Sequence, residues 1–540
     1  MTYYQVIHST FFRRSPHPAS NNHPKRTKEF DTKSRVCMSE KILINHHEFE
    51  TRAAIVKQGV VNTILLERQH HKPLLGNIYL GTVVRVLGGM QAAFLDIGEN
   101  RTAFLHANDL KNPLSPSLNV AATGNTTPNS TAPKNPSIQQ LHQGQRLVVQ
   151  VIKEPMGDKG ARLTTSISLT TYNLVYLPNS KPFIGISKHI QNKEQQSNLK
   201  SVIHTAFNAS HIIGGAIIRT NAQFTTTQAL QNELTDVLQV WQQICKQLKT
   251  ASPKKTALLL YQESPLYIRC VRDFSSDDTK EVLVDNFEIY GFLCDYTQRF
   301  APHMLAKIAY HDKPSVFAPH DVEGVIQQTI TPRVLLPSGG YVLIEQTEAM
   351  VAIDVNSGAS VGKYNAQDTA YQTNIEAVKV IAYQLRLRNL GGIIILDFID
   401  MNKAVHRQGV LNALIQELQE DKARTAVTEV KELGLIAMTR ERTAQSLTAI
   451  LSEPCPVCQG KGTVKNRETI AFEIFRKILH TANTFATTKE LMVCANAAVI
   501  DYLHANEQKT LQDLEGTTNK TITLKKTNHY TAEQYNILPN

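Results

Sequence analysis

The chain has 540 residues, 42% of them apolar, and 57 Lys/Arg against 47 Asp/Glu give a formal charge of +10. That length exceeds what one hydrophobic core serves, so three or more subdomains are expected, and the basic balance points to a polyanionic partner such as nucleic acid. No apolar run approaches 18 residues and none near the N-terminus has the form of a secretory signal, which argues against a membrane span and export and makes the cytoplasm the expected compartment.

Residues 1–37 hold seven Lys/Arg and two acids, half of the net charge, without apolar periodicity. They read as a disordered basic extension, 1–38: either Met38 is the true start or 1–37 is a dispensable basic arm, with a transit peptide as the weaker alternative. Residues 41–67 alternate in the manner of two strands. A small all-β unit follows: "GNIYLGTVVRVL" (76–87), a Gly88-Gly89 turn, "MQAAFLDIG" (90–98), "RTAFLH" (101–106), "QRLVVQVIKE" (145–154) and "ARLTTSISL" (161–169). Five short strands with glycine turns predict an OB-type barrel. The Pro/Ser/Thr/Asn tract 111–137 inside it cannot build a core and reads as an inserted solvent loop.

From 170 to 265 the pattern is mixed, with a turn-rich stretch at 177–190, a short strand at 216–220 and a helix around 226–250. Beyond about 330 the text becomes α/β. Residues 339–356 form a hairpin-like pair, 366–389 an amphipathic helix, 393–401 a strand read as buried from its β-branched run, and 403–423 a second helix. The tail 463–540 is a smaller unit with two predicted helices.

Two carboxylates stand at the ends of apolar strands, Asp354 in "AMVAID" and Asp397 in "GGIIILD". In α/β sheets ligand sites collect at such strand ends, and two converging carboxylates suit Mg²⁺, which keeps several waters and takes one or two carboxylates plus phosphate oxygens. Asn356 shares the face of Asp354. The plainer reading is that each Asp caps the helix that follows. "NSGASVGKY" (356–364) is not a phosphate-binding loop, because only three residues separate Gly358 from Gly362 and Tyr364 stands in place of Ser/Thr.

Period-two geometry sorts the barrel side chains. With Ala93, Leu95, Ile97, Ala103 and Leu105 inward, Phe94 and Phe104 face out as a platform for unpaired bases; a slip of one residue would bury both rings as core. Lys159, in the turn "GDKG", is placed for a phosphate contact. Arg219-Thr220, at a strand end, sets a forked guanidinium beside a hydroxyl, a pair suited to a terminal phosphate, though a strand-end Arg often has no role.

"EPCPVCQGKG" (453–462) carries Cys455 and Cys458 between proline and glycine turns, half of a tetrahedral zinc site. A redox pair would open a helix in a thioredoxin-like βαβ setting, which the sequence does not display. The missing ligands come either from a fold-back of His480, Cys494 or His504, or from a second copy of the chain.

The blocks "GNIYLGTVVRVLGGMQAAFLDIGENRTAFLH", "IIRT", "LPSGGYVLIEQTEAMVAIDVNSG", "QLRLRNLGGIIILDFIDM" and "EPCPVCQGKG", in this order, resemble the ribonuclease E/ribonuclease G family of bacterial endoribonucleases. "MTRERTAQSL" (438–447) and the short chain after Cys458 are similar to the ribonuclease G branch, which lacks the scaffold that assembles a degradosome. The resemblance implies an α/β (α+β, multi-subdomain) fold: an RNase H-like subdomain from 39–72 and 266–330, an OB-fold RNA-binding barrel at 73–165, a 5′-sensor at 166–265, a DNase I-like catalytic subdomain at 331–452, a zinc link at 453–462 and a small dimerisation domain at 463–540.

It further implies Mg²⁺ on Asp354 and Asp397 with Asn356 beside them, RNA contacts by Phe94, Phe104 and Lys159, and a 5′-monophosphate pocket at Arg219 and Thr220. Cys455 and Cys458 would share Zn²⁺ with their copies in a homodimer, itself open to pairing into a tetramer. The expected activity is Mg²⁺-dependent hydrolysis of single-stranded, A/U-rich RNA to 5′-phosphate products, favoured by 5′-monophosphorylated ends, in ribosomal RNA maturation and messenger decay. Two readings from other classes stand beside it: a non-catalytic RNA-binding or chaperone protein using the barrel alone, and a thiol-redox or zinc-chaperone protein in which the cysteine pair cycles.

Overall fold

The computed structural model describes residues 39–70, 72–111, 138–157, 159–209, 214–252, 257–313, 315–358, 366–430, 432–442 and 444–540. The basic extension 1–38, the polar tract from 112 to 137 and the segment 359–365 lie outside the described residues. The chain divides into two compact units, Met1–Leu451 and Ser452–Asn540. Among the described residues no helix is long and apolar enough to cross a membrane.

The first unit opens with three antiparallel strands, β1 (Glu40–His46), β2 (Glu50–Lys57) and β3 (Val60–Arg68), where alternation predicted two. The extra turn is only Gln58-Gly59, with φ of 51° and 82°, the left-handed geometry of a two-residue hairpin loop. β4 (Ile78–Leu87), β5 (Ala92–Asp96), β6 (Ala103–His106), β7 (Arg146–Lys153) and β8 (Arg162–Thr164) then close a barrel in the order β4-β5-β6-β8-β7, with β7 pairing back to β4. Its interior is filled by Val83, Ala93, Leu95, Leu105, Leu147 and Leu163, among others. This is the expected OB-like closure.

β9 (Leu169–Thr170), β10 (Leu174–Leu177), β11 (Phe183–Ile186) and β12 (Gly215–Ile218) form a four-stranded sheet in the order β11-β12-β10-β9, so a strand occupies part of the segment read as turns. The helix Thr227–Thr250 packs on it and starts at Thr226, whose side chain accepts a hydrogen bond from the Ala229 amide. β13 (Leu258–Tyr261) pairs with β4, and β14 (Thr279–Val284) and β15 (Ile308–Tyr310) return to the first sheet, β14 running parallel to β1.

β16 (Arg333–Leu335), β17 (Tyr341–Gln346), β18 (Met350–Asn356), β19 (Gly392–Asp397), β20 (Thr425–Val430) and β21 (Leu435–Arg440) form a six-stranded sheet, β16-β17-β18-β19-β21-β20. Only β18 and β19 pair in parallel, with the helix Ala366–Leu387 between them in the chain; the helix Ala404–Glu417 follows β19. These helices cover one face, Val378, Ile381 and Leu414 clustering with Val351, Ile353, Ile394 and Leu396. The opposite face is open, with Met350 37% and Ile393 49% exposed. β19 is therefore not buried on both sides as its apolar run predicted, because side chains alternate between a covered and an uncovered face.

The second unit holds β22 (Glu490–Ala495), β23 (Thr521–Lys526) and β24 (Tyr535–Pro539) in the order β23-β22-β24, with β22 parallel to β23. The helices Ala497–Asn506 and Gln508–Thr518 lie between β22 and β23 in the chain. A third helix, Arg467–Thr484, clusters through Ile470, Ile474 and Ile478 with Leu491 and Val493. Two helices were expected here. The βαβ unit and the sheet were not.

Candidate functional site

The parallel pairing of β18 with β19 brings the two strand-end carboxylates together, since Asp354 and Asp397 are direct cross-strand partners. Both are on the open face and exposed. Asn356, two residues on, donates its side-chain amide to Asp354 Oδ2 at 2.7 Å and holds that carboxylate in place. Desolvation, then the negative charges of Asp354 and Asp400, push the Asp397 carboxyl above the usual range. No ion pair to either aspartate occurs among the described residues. Among the described residues neither Asp caps a helix: the first following helix is described from Ala366, and the second begins at Ala404 with Lys403 as its N-cap residue. Two adjacent, uncompensated carboxylates form a donor set that a hard divalent cation fits.

On the barrel the inward set is buried as period two requires, Ala93, Leu95, Ala103 and Leu105 all at 0% exposure, while Phe94 and Phe104 are half-buried on the outside. The two phenylalanines are cross-strand partners, with ring centroids 5.8 Å apart in an edge-on pair, and His106 is 6.2 Å from Phe104. A one-residue slip is thereby excluded. Lys159 is exposed in a turn closed by mutual backbone hydrogen bonds with Met156. Gly160 follows, because a Cβ there would run into the Thr102 carbonyl; its absence lets the Phe104 amide donate to Ala161 O at 2.7 Å. That contact ties the Lys159 turn to the strand bearing Phe104.

Arg219 and Thr220 lie just beyond β12, and Arg219 is already engaged. Its guanidinium donates to Thr171 O at 2.6 Å and to Asp273 Oδ1 at 2.9 Å. Asp273 also takes the guanidinium of Arg272 at 2.7 Å; Arg272, only 6% exposed, reaches Glu263 at 2.8 Å as well. Burial would raise the Asp273 carboxyl, but Arg272 and Arg219 outweigh it and hold that group below its ordinary value. Lys422, from the segment before β20, donates to the backbone carbonyl of Asp273 at 3.2 Å and stands 4.8 Å over the Phe274 ring. The Thr220 hydroxyl is 2.8 Å from that of Ser187. Asp273, Arg272 and Lys422 escaped sequence reasoning. The only local signal was the adjacent Arg-Asp of "CVRDF" behind an apolar stretch.

The Ribonuclease E/G family matches residues 168–443, and the RNase E/G, Thioredoxin-like domain matches residues 454–539. Ribonuclease G of Escherichia coli (strain K12) is 39% identical over 502 residues, covering 93% of this chain and 100% of that protein. The chain belongs to the ribonuclease E/G family. Ribonuclease G of Haemophilus influenzae is 38% identical over 501 residues, 92% of this chain and 99% of that protein. Ribonuclease E of Escherichia coli (strain K12) is 32% identical over 480 residues, which is 88% of this chain but 44% of that protein. The alignment to ribonuclease G thus spans both units, and the longer ribonuclease E is matched over less than half its length.

The thioredoxin-like assignment corrects one expectation. A βαβ unit is present after the cysteine pair, from β22 to β23. The pair does not open one of its helices, however: Cys455 and Cys458 sit in a turn well before the helix that starts at Arg467. Gln459 N donates to Cys455 O at 2.7 Å and Lys461 N to Cys458 O at 2.9 Å, with Gln459 and Gly460 at positive φ, a tight knuckle. The backbone amides of Cys458 and Val457 lower the Cys455 thiol below its ordinary value, which favours the thiolate that a metal takes. Among the described residues no third His, Cys, Asp or Glu joins the pair, so the fold-back candidates His480, Cys494 and His504 do not complete it within this chain.

Proposed function

We propose that this chain, an endoribonuclease by its family membership, uses Mg²⁺ held by Asp354 and Asp397 to cut single-stranded, A/U-rich RNA, with faster turnover of 5′-monophosphorylated ends. The observation that carries the reading is the side-by-side placement of the two carboxylates on an open sheet face without a cation of their own. Bound there, the divalent ion supplies neutralisation of the charge developing on the phosphoryl oxygens and a water of lowered pKa.

The protein's own residues do the rest. Asn356 fixes the Asp354 carboxylate through its 2.7 Å hydrogen bond. Phe94 and Phe104 stack unpaired bases, each stack being worth about 1–3 kcal/mol, and Lys159 takes a phosphate. In-line attack by water forms the new P–O bond as the bond to the 3′-oxygen breaks. The water's proton is lost and one is gained by the leaving oxygen, so the products end in 5′-phosphate and 3′-hydroxyl. Arg219 and Thr220 bind the terminal 5′-phosphate, which competes with Asp273 for the guanidinium.

In this reading the subdomains are an RNase H-like part (39–72 and 266–330), the barrel (73–165), a 5′-sensor (166–265), a DNase I-like part (331–452), a zinc link (453–462) and a dimerisation domain (463–540). Cys455 and Cys458 share Zn²⁺ with the pair of a second copy, and the work done is ribosomal RNA 5′-end maturation and messenger decay in the cytoplasm. The test is the cleavage of matched oligonucleotides bearing 5′-phosphate or 5′-hydroxyl. Faster cleavage of the phosphorylated one is expected, and equal rates would remove the sensing role. Metal analysis is expected to give one zinc per two chains, whereas one per chain would contradict sharing.

A further inference from the structure

The open face that carries Asp354 and Asp397 also carries an unneutralised cation. Arg333 opens β16, the edge strand, and is exposed. Its guanidinium carbon stands 3.9 Å from the centroid of the Tyr341 ring on β17. Among the described residues it makes no ion pair.

Sheet register sets its relation to the carboxylates. Arg333 pairs with Leu343, Leu343 with Asp354 and Asp354 with Asp397, one row running straight across four strands. In the next row Tyr341 pairs directly with Asn356, the residue that holds Asp354. Cross-strand partners share a face, so all six side chains project to the same side. With strands about 4.8 Å apart, the Arg333 backbone lies about 10 Å from that of Asp354.

An Arg whose task was to neutralise the aspartates would lie against them. This one is laid on a ring instead, which orients the planar fork and leaves its N–H donors available. A polyanion crossing the strands over Asp354 and Asp397 has its reacting phosphate at the carboxylates and other phosphates to either side, where the same carboxylates repel them. Arg333 places a positive charge at the edge end of that path. Leu335, 53% exposed and paired with Tyr341, gives the neighbouring surface an apolar patch suited to a sugar.

We propose that Arg333, oriented by Tyr341, is a subsite for an RNA phosphate flanking the one that is cut. The proposal rests on the reading that Asp354 and Asp397 act on RNA. Arg333 is a binding residue here, and Tyr341 a positioning residue.

The test separates the two ideas. Binding of a fluorescent single-stranded oligonucleotide is measured by anisotropy across a salt series, without magnesium, in a full-length Asp354→Asn/Asp397→Asn background; steady-state cleavage with Mg²⁺ is measured in the parent background. Arg333→Ala is expected to reduce the slope of log affinity against log salt by about 0.7, the contribution of one phosphate contact on a single strand, and to raise KM several-fold with kcat near the parent's. Arg333→Lys, keeping the charge, should restore the slope. Tyr341→Leu should weaken binding while preserving the slope. Unchanged slope and KM in an Arg333→Ala variant with the parent's melting temperature would overturn the subsite even if the parent cuts RNA. A reduced slope with a parent that cuts no RNA would keep the subsite and overturn the cleavage reading.

Discussion

The open sheet face bearing Asp354 and Asp397 and the ion-pair cluster around Arg219 treat charge in opposite ways. At the first, two like charges sit abreast and neither has a cationic partner among the described residues; desolvation first, and then the neighbouring carboxylates, push the Asp397 carboxyl up. At the second, Arg219, Arg272, Asp273 and Glu263 form a continuous chain of ion pairs, and the Asp273 carboxyl is held down. An uncompensated pair is incomplete until a cation arrives. A compensated one gives up its guanidinium only to a stronger anion, so the proposed response to a 5′-phosphate would be graded.

The contrast orders the expected effects. Replacing Asp354 or Asp397 singly by Asn should lower kcat by on the order of 10³-fold, with an unchanged melting temperature because both side chains are exposed. A wild-type rate in either variant would place the chemistry elsewhere. Asp273→Ala works the other way and attacks stability, because it leaves the buried guanidinium of Arg272 with Glu263 as its one carboxylate partner, beside the Thr170 carbonyl. A loss of about 3 kcal/mol in denaturant unfolding is expected; a neutral result would mean that the ion-pair chain does not contribute to the stability of the fold.

The same carboxylate gives a pH signature. The folded pKa of Asp273 lies below its unfolded value near 4, so its stabilisation is fully present above about pH 4 and is lost as pH falls through the folded value. Melting temperatures of the parent and Asp273→Asn should therefore differ at neutral pH and converge in acid, and a constant gap would contradict the depressed pKa. The smallest effect is expected from Arg219→Ala: the advantage of a 5′-phosphate over a 5′-hydroxyl substrate should disappear, while the rate on the hydroxyl substrate stays within about twofold of the parent's.

How much of this was legible in the sequence depended on range. Alternation within β5 and β6 was enough to turn Phe94 and Phe104 outward, and the ends of two apolar runs pointed to Asp354 and Asp397. What local pattern does not carry is pairing. The register that makes Asp354 and Asp397 neighbours, the insertion of β14 beside β1, and the closure of the barrel through β4 and β7 are all long-range. The Arg219 to Asp273 contact spans 54 residues and the Lys422 to Asp273 contact 149, and neither leaves a trace in spacing. Burial was misread for β19 because an apolar run does not reveal that only one face of a sheet is covered. The βαβ unit of the tail was missed behind its polar helices, such as Gln508–Thr518.

The central claim is hydrolysis at the paired aspartates, and the ends of the RNA products test it most directly. With Mg²⁺ and a single-stranded oligonucleotide, the parent should give fragments ending in 5′-phosphate and 3′-hydroxyl, and the Asp354→Asn/Asp397→Asn variant, correctly folded, should give none. Undiminished cutting by that variant, or 2′,3′-cyclic phosphate ends from the parent, would contradict it.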